Sequence, residues 1–429
     1  MKHCSKKQHK AHRAPALHLV PRPCPNGAVR DTGRRTSTER RVLPLSGVKV
    51  IEFCEVASGP FCGMLLADMG AEVIKVEREG VGDSLRQWPP LSNGYSENFA
   101  SLNRGKKSVT LNLKDPAERD IARRLILSAD AVVENYRPGV MDKNGLGYAA
   151  MSKDKPSLVY CSISAYGQSG PRSHEGGFDL TIQAVGGVMS VTGEADGPPV
   201  KCGVPISDFG AGLYAAFSIA SALRKAQVSG EGDHIDISML GATLAMAALQ
   251  TSEYFGTGVD PKKLGSAHPR NAPYQAFKAK DGYFAMAAGN DRLWRSVCEL
   301  VGRADLVEDP RFLNTASRTR NQTELRILLE EIFAERSTAA WIEGFTGVGV
   351  PCGPINSYSE ILADPQVAHM GWVRETDLPS GITTRTFACP VMLSGKGIEI
   401  RSPPPALGEH REDVIRALDS AAALKAIAG

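Results

Sequence analysis

The 429-residue chain lacks the cysteine and histidine spacings that mark metal sites and disulfide frameworks. Its nine cysteines are scattered, and no two of them form a C-x-x-C pair. Its nine histidines show neither an H-x-x-x-H nor an H-E-x-x-H spacing. These absences argue against structural zinc, metal catalysis and a disulfide-stabilised fold. We therefore expect no metal ion, and we expect most cysteines to be small buried side chains in a reducing compartment.

Two nucleotide-binding motifs are also missing. The segment after the first predicted strand, SGPFCG at residues 58–63, reads G-x-x-x-G instead of the dinucleotide-binding G-x-G-x-x-G. No G-x-x-x-x-G-K-[ST] occurs, which excludes a P-loop. Glu77 stands where a ribose-binding acid would follow the second strand of a dinucleotide fold, but without the glycines a dehydrogenase is disfavoured.

The chain has no apolar stretch of about 20 residues, so no membrane span is expected. Residues 1–41 hold eleven Lys or Arg and two acidic residues, a net charge of +9. Because the whole chain has a formal charge of +3, residues 42–429 carry a net charge of −6. The body therefore offers no general attraction for nucleic acid. The basic segment is predicted to be a disordered extension or, equally, an organellar transit segment, and the expected location is cytoplasmic or, in the second case, the mitochondrial matrix.

From residue 42 onward, strand and helix patterns alternate. VKVIEF, AEVIKVER, KSVTLNL, DAVVENY and PSLVYCSIS predict strands, and GPFCGMLLADMG and DPAERDIARRLILSA predict helices. This alternation predicts an α/β fold whose large domain, residues 42–240, is a doubly wound, Rossmann-like parallel sheet. The apolar segment ISMLGATLAMAALQTSEYF predicts one helix buried in a core or a subunit interface.

The later part of the chain has a different pattern. Asp281-Gly282 between two strand patterns predicts an antiparallel hairpin, and amphipathic helices follow it. We predict a linker at residues 241–264, a smaller α+β domain at residues 265–360, and a return linker with the C-terminal part of the large domain at residues 361–429.

Polar and basic residues follow the predicted strands at their carboxyl ends, which share one rim in a doubly wound sheet. The cations there would together attract a phosphorylated ligand, although each one alone is typical of a solvated surface charge. They are Arg78, Lys114, Arg137 and Lys143.

Asp208 in VPISDFGAGLYAAF precedes a glycine-containing helix, and two interpretations remain open from this pattern. The first is an N-cap, because Asp is a preferred N-cap residue. The second is a nucleophile that the helix dipole and N–H donors hold ionised, with Gly210 and Gly212 keeping the approach open.

Several motifs in order resemble family III CoA-transferases, the group that includes formyl-CoA, succinyl-CoA and carnitine CoA-transferases. They include GPFCGMLLADMGAEVIKVERE, NRGKKSVTLNL, VENYRPG, VPISDFGAG, GVPCGP and PPPALGEH, and the resemblance runs from about residue 43 to about residue 414. It implies transfer of CoA from an acyl-CoA to a carboxylic acid, without a tightly bound cofactor, in an interlocked homodimer. It also implies that Asp208 is the nucleophile, acting through an aspartyl anhydride and an aspartyl-CoA thioester.

The same resemblance implies a CoA site, with Arg78 and Lys143 as phosphate partners and Leu111 and Tyr136 flanking the adenine or pantetheine. Its positions are Ala57, Ser58, Arg78, Leu111, Lys114, Asn135, Tyr136, Arg137, Lys143, Gly177, Phe178 and Asp179. Formyl-transferring members have Gln at the position of Ala57 and Lys at that of Gly176, so formyl or oxalate specificity is not expected.

Two alternatives accompany this reading. The α-methylacyl-CoA racemases share the fold and the aspartate but need a His where Phe178 stands, and a non-catalytic CoA-binding protein would not need Asp208. For the acceptor acid, His268 and Arg270 are candidates to hold the second carboxylate of a dicarboxylic acid, although Arg270 serves equally well as a brace for the hairpin. With succinyl-CoA as the expected donor, the motif pattern is most similar to succinyl-CoA:dicarboxylate transferases.

Overall fold

Six parallel strands form the central sheet of the protein. The structure, a computed structural model, describes residues 41–428 and the side chains of residues 41–421, so almost all of the predicted basic extension lies outside the described residues. The strands are β1 Lys49–Phe53, β2 Glu72–Arg78, β3 Lys106–Leu111, β4 Ala131–Glu134, β5 Val159–Ser164 and β6 His234–Ser238. Their order is β3-β2-β1-β4-β5-β6, and every neighbouring pair is parallel, which confirms the predicted parallel α/β sheet.

Alternate residues of these strands enter two hydrophobic cores, one on each face of the sheet. Val50 and Val73 face a core that includes Ile219, whereas Ile51 and Phe53 face the other. The helices of this part of the chain are α1 Ser58–Asp68, α2 Glu97–Asn103, α3 Pro116–Ser128, α4 Val140–Lys143, α5 Tyr148–Asp154, α6 Asp179–Val185, α7 Val188–Val191 and α8 Ile206–Ser229. The 3-10 helix Ser84–Gln87 follows β2.

The beginning of α3 shows why its sequence forms a helix there. Asp115 is the N-cap and its side chain accepts a hydrogen bond from the Ala117 N–H at 2.9 Å, and Pro116 occupies the first turn, where no amide hydrogen is needed. The predicted boundary is confirmed.

One predicted helix is wrong in its extent, and much of it is not buried in a core of this chain. The segment of residues 237–255 instead ends β6 and then forms α9 Met239–Met246 and α10 Ala248–Thr257. Leu249 is 63% exposed and Phe255 81% exposed, so no core of this chain covers them. The alternative reading, a subunit interface, stays a prediction, and the predicted linker at residues 241–264 is largely helical.

A second region has its own aromatic core. The strands β7 Tyr274–Lys278 and β8 Tyr283–Ala287 form the predicted antiparallel hairpin, and β9 Cys352–Pro354 extends it. Its core includes Phe284, Trp294 and Phe333. The helices here are α11 Asp291–Leu300, α12 Thr315–Arg320, α13 Gln322–Phe333, α14 Thr338–Gly347, α15 Tyr358–Leu362 and α16 Pro365–Met370, with the 3-10 helix Ala304–Val307.

The C-terminal part returns to the parallel sheet. After the antiparallel pair β10 Val373–Asp377 and β11 Thr383–Phe387, helix α17 Arg411–Ala428 lies beside α3 and β3. Arg411 pairs with Glu118 of α3 at 2.8 Å, and the Gly408 N–H donates to the Ser108 hydroxyl of β3 at 2.9 Å. Two-residue strand pairs occur at Leu91–Ser92 with Tyr95–Ser96 and at Met392–Leu393 with Lys396–Gly397. The domain boundaries stay predictions.

Within the described residues, α8 is the one helix with the length and hydropathy of a membrane span. Of the 18 residues that form its most apolar stretch, 44% are buried inside the protein.

Candidate active site

The main polar cavity lies where the strand order reverses. In open parallel sheets the ligand crevice forms outside the carboxyl ends of the strands at that switch point, which here falls between β1 and β4. The cavity has a volume of about 560 Å³, within the usual range for small-molecule sites. It is lined by residues 55–58 after β1, 135–138 after β4, 163–165 at the end of β5, 175–178, Thr181, Asp208 and Met239.

Asp208 lies in the first turn of α8, as its third residue. Pro205 is the N-cap, and its own side chain makes no capping hydrogen bond. The N-cap interpretation of Asp208 is therefore wrong, because the residue is already inside the helix. Its side chain points to the cavity that residues 57 and 58 also line. Among the described residues, none donates a hydrogen bond to the Asp208 carboxylate.

The electrostatic surroundings of Asp208 differ from the prediction. Burial, and next the negative charge of Asp179, raise the pKa of the Asp208 carboxyl to about 7. The expectation that helix N–H groups hold this carboxylate ionised is wrong, since no such hydrogen bond forms. A carboxylate with a pKa raised in this way is a stronger nucleophile once it is ionised, because less solvation has to be removed.

Asp179, which was predicted to contact CoA, does not line the cavity. One of its carboxylate oxygens accepts from the Ser207 N–H at 2.9 Å, and the other accepts from the Gln183 side-chain amide at 2.6 Å. Gln183 in turn accepts from the Cys202 N–H at 2.9 Å. Asp179 thus fastens the segment that leads into α8, and it does not line the cavity, whereas Gly177 and Phe178 do. Phe178 is 75% exposed.

Close packing brings α8 against the first turn of α1. A Cβ atom on Gly212 would lie 2.6 Å from the Ser58 carbonyl oxygen, so only glycine permits this approach. Phe209 contacts Phe61 with ring centroids 4.6 Å apart. This contact explains how Asp208 and Ser58 come to share one cavity although they are far apart in sequence.

The turn between β1 and α1, residues 54–58, is held by side chains from other elements. Asn135 accepts from the Glu55 N–H and donates to the Glu55 carbonyl, both at 2.9 Å. Asp83 accepts from the Val56 N–H at 3.0 Å, and Lys75 donates to the Cys54 carbonyl at 2.6 Å. Asn135, predicted as a ligand contact, therefore also shapes the cavity wall.

Behind this turn lies a group of charges that the sequence analysis did not identify. The Lys75 ammonium lies 2.9 Å from Glu52 and 3.0 Å from Asp83, and the Lys106 ammonium lies 2.8 Å from Glu52. All four side chains are 0% exposed. The lysine within the apolar run VIKV was the available signal, because a fully buried lysine needs a paired acid.

The structure brings together only part of the predicted CoA site. Ala57, Ser58, Asn135, Tyr136, Arg137, Gly177 and Phe178 line the cavity with Asp208. Arg78, Lys114 and Lys143 are exposed outside that lining. Leu111 pairs in register with Arg78, but its side chain is 1% exposed in the core, so it is not available to flank an adenine ring.

The predicted acid-binding pair lies away from the Asp208 cavity. The His268 ring stacks on Tyr274 with centroids 4.9 Å apart. Arg270 forms a 2.7 Å ion pair with Glu253 of α10. Neither residue lines the cavity within this chain, so their contact with a substrate stays a prediction.

Among the described residues, no three His, Cys, Asp or Glu side chains are grouped so that they could hold a metal ion. The cavity holds the half-buried Asp208 carboxylate and the Arg137 guanidinium, and a carboxylate can act as a covalent nucleophile in acyl transfer.

Comparison with known proteins identifies the class. The model of CoA-transferase family III matches residues 45–411, so the chain belongs to this family and is a CoA-transferase. It is 39% identical over 386 residues to the succinyl-CoA:glutarate CoA-transferase of Mus musculus, covering 90% of this chain and 88% of that one. It is 36% identical over 392 residues to the succinate–glutarate CoA-transferase of Agrobacterium fabrum, covering 90% and 98%. The resemblance inferred from the motifs is confirmed.

A solved structure agrees with the fold. The crystal structure of a CaiB/BaiF family protein from Brucella suis is similar with a TM-score of 0.79 and 36% identity, covering 88% of this chain and all of that one.

Proposed function

We propose that this enzyme transfers CoA from succinyl-CoA to a dicarboxylic acid, with Asp208 as the covalent nucleophile. The observation that carries the proposal is the half-buried Asp208 carboxylate, which accepts no hydrogen bond from the described residues, in the cavity at the switch point of the sheet. The names of the two similar enzymes, both of which act with succinate and glutarate, support the substrate class.

The proposed reaction proceeds in four balanced steps. An Asp208 oxygen attacks the thioester carbonyl, the C–S bond breaks, and a mixed anhydride and CoA thiolate form. The thiolate attacks Cγ of Asp208, which releases succinate and leaves an aspartyl-CoA thioester. The acceptor carboxylate attacks this thioester, giving a second anhydride and the thiolate. The thiolate then attacks the acceptor carbonyl, so that the new acyl-CoA and the Asp208 carboxylate are released with no net proton transfer.

The CoA portion would bind to residues that line the same cavity as Asp208. They are Ser58, Asn135, Tyr136 and Arg137. We propose that Arg78, the exposed last residue of β2, and Lys143, the exposed last residue of α4, bind the phosphates when CoA is present. Lys114 would add to the same positive field.

The racemase alternative requires a second proton-transferring group at the position of Phe178, which has none. If the racemase reading were correct, a 2-methylacyl-CoA would exchange its α-proton with deuterium oxide in the presence of the enzyme. We expect no such exchange.

Activity should fall in acid as Asp208 becomes protonated. Because burial raises the pKa of this carboxyl to about 7, and only the ionised form attacks, kcat/KM should decrease as the pH falls below about 7 and level off above it. The measurement is kcat/KM for succinyl-CoA from pH 5 to 9, with the Kd of CoA measured at each pH to separate binding from chemistry.

A second acid in the same cavity needs a control. Burial, and next the Asp83 charge, also raise the pKa of Glu55. The acidic limb should persist in Glu55→Gln if it belongs to Asp208. A profile that stays flat down to pH 5 would contradict the assignment.

The acceptor class can be tested with a panel of acids and succinyl-CoA as donor. We expect glutarate and methylsuccinate to react well and acetate and butyrate poorly. If Arg270 binds the second carboxylate, Arg270→Ala should lower kcat/KM for dicarboxylates, with a loss of about 2–4 kcal/mol in transition-state stabilisation. The kcat/KM for monocarboxylates should not change.

Arg303 provides a matched control for Arg270. It is a similarly exposed arginine that also forms a 2.7 Å pair with an acidic residue, Asp305. Arg303→Ala should change neither substrate class. Equal rates for acetate, butyrate and glutarate would remove Arg270 from the site, and absence of transfer to every acid would refute the proposed function itself.

We also propose the homodimer and the cytoplasmic or mitochondrial location that the family resemblance implies. The exposed apolar side chains of α8 and α10, such as Phe217 and Phe255, support a subunit interface. The body carries no basic excess that would suggest nucleic acid as a partner.

A further inference from the structure

The turn between β1 and α1 contains a residue in a conformation that its side chain disfavours. Val56 has a φ of 65°, in the left-handed region, and it is one of three described non-glycine residues with a positive φ. A β-branched residue there is strained, because its Cβ crowds the backbone. Val56 also lines the Asp208 cavity. Strain of this kind persists only where the surroundings hold it.

Asp83 makes the contact that bears most directly on Val56. One oxygen of its carboxylate accepts from the Val56 N–H at 3.0 Å and from the Leu85 N–H at 2.9 Å. The two residues that precede Val56, Cys54 and Glu55, are held separately by Lys75 and Asn135. The Val56 amide is thus fixed by one side chain that lies 27 residues further along the chain.

Asp83 is itself fixed in place. Its second oxygen lies 3.0 Å from the Lys75 ammonium, and its own N–H donates to Glu77 at 3.0 Å. Both Asp83 and Lys75 have side chains that are 0% exposed. Without solvent to compete, this hydrogen bond to the turn has the strength of a charge-assisted bond.

We propose that Asp83 is a positioning residue for CoA binding: through its bond to the Val56 N–H it keeps the turn in the left-handed conformation that forms the cavity wall of residues 56–58. Asp83 does not line the cavity, so it acts through the turn and not by touching the ligand. The inference concerns the CoA site of the proposed function but does not depend on the nucleophile or on the acceptor acid.

The test is a set of variants whose affinity for CoA is measured by isothermal titration calorimetry. Asp83→Ala removes the acceptor, and we expect CoA to bind about tenfold more weakly, or about 1.4 kcal/mol. Asp83→Asn keeps an oxygen that can accept from the Val56 N–H, so it should retain most of the affinity even if unfolding occurs at a lower temperature. The KM for succinyl-CoA should follow the Kd, whereas kcat should change little.

The decisive variant is the double substitution Asp83→Ala with Val56→Gly. Glycine adopts a positive φ without strain, so the turn no longer needs the Asp83 bond, and most of the lost affinity should return. The matched control is Asp83→Ala with Ser394→Gly, because Ser394 is an exposed residue whose φ is 50°. That control removes the backbone strain at a left-handed residue outside the turn, so it should not restore CoA binding.

Circular dichroism and thermal unfolding identify the variants that fold. If Asp83→Ala does not fold, the comparison between Asp83→Asn and Asp83→Asn with Val56→Gly carries the test, since any loss in the first should be restored in the second. Wild-type affinity in folded Asp83→Ala, or equal restoration by Ser394→Gly, would overturn the proposal. Because CoA binding is measured directly, a failure of succinyl transfer would count against the proposed function and not against this inference.

Discussion

Replacing Asp208 by asparagine is expected to abolish CoA transfer and to leave CoA binding nearly unchanged. An amide of almost the same shape cannot form the anhydride, so the loss should exceed about a thousandfold, or about 4 kcal/mol of transition-state stabilisation. Transfer from succinyl-CoA to glutarate measures the rate, and calorimetry with CoA measures binding. After succinyl-CoA and hydroxylamine are added to the wild type, mass spectrometry should find the adduct on the peptide that contains Asp208.

The same variant should be at least as stable as the wild type, which separates chemistry from folding. The pKa of Asp208 is raised to about 7 in the folded protein, above its ordinary value of 3.8. The folded state therefore binds the proton more tightly than the unfolded chain does, and the free energy of unfolding falls as the pH rises from about 4 through about 7. Asparagine removes this penalty, so its thermal midpoint at pH 8 should not be lower. Retention of more than about a thousandth of the activity would refute the covalent mechanism.

Lys75→Met should be strongly destabilising. The ammonium contacts Glu52 at 2.9 Å, Asp83 at 3.0 Å and the Cys54 carbonyl at 2.6 Å, and all of these side chains are buried. Methionine has a similar length, but it leaves the carboxylate of Asp83 without its cation. Breaking one partner of a buried ion pair costs about 3–5 kcal/mol, and equilibrium unfolding in urea measures it.

Lys225→Met is the control for this loss. Lys225 also pairs with an acid, Asp233 at 2.8 Å, but its side chain is 50% exposed. Its removal should leave the urea midpoint almost unchanged, because an exposed pair contributes little. A loss below about 1 kcal/mol in Lys75→Met would show that the buried charges are not coupled in the way the distances indicate.

The sequence was sufficient to predict the sheet because its strands are short apolar runs and its helices have clear starting signals. Asp115-Pro116 and Asp281-Gly282 are local signals, and each is found where it was expected. Asp208 could be placed near a helix start for the same reason. Its location within the first turn, the absence of a hydrogen bond from the described residues to its carboxylate, and the neighbouring charge of Asp179 could not be predicted. They depend on chain segments that meet only after folding.

The rest of the site was out of reach for the same physical reason. The bond from Asp83 to Val56 joins residues 27 positions apart, and that from Asn135 to Glu55 joins residues 80 apart. The apolar pattern of residues 239–257 suggests burial, but hydropathy does not say which surface of which chain covers it. Family resemblance supplied the predicted role of Asp208, and it could not show that Leu111 lies in the core.

Gly212 limits how this enzyme can be redesigned. Because Gly212 has no side chain, α8 lies close to the Ser58 carbonyl. A methyl group at this position would force α8 and α1 apart. Widening this seam to admit larger acids would therefore also move Asp208, which lies one turn earlier on α8. Phe178 and Thr181 are exposed parts of the cavity lining that do not belong to α8, so we expect substitutions there to change the shape of the cavity with less effect on Asp208.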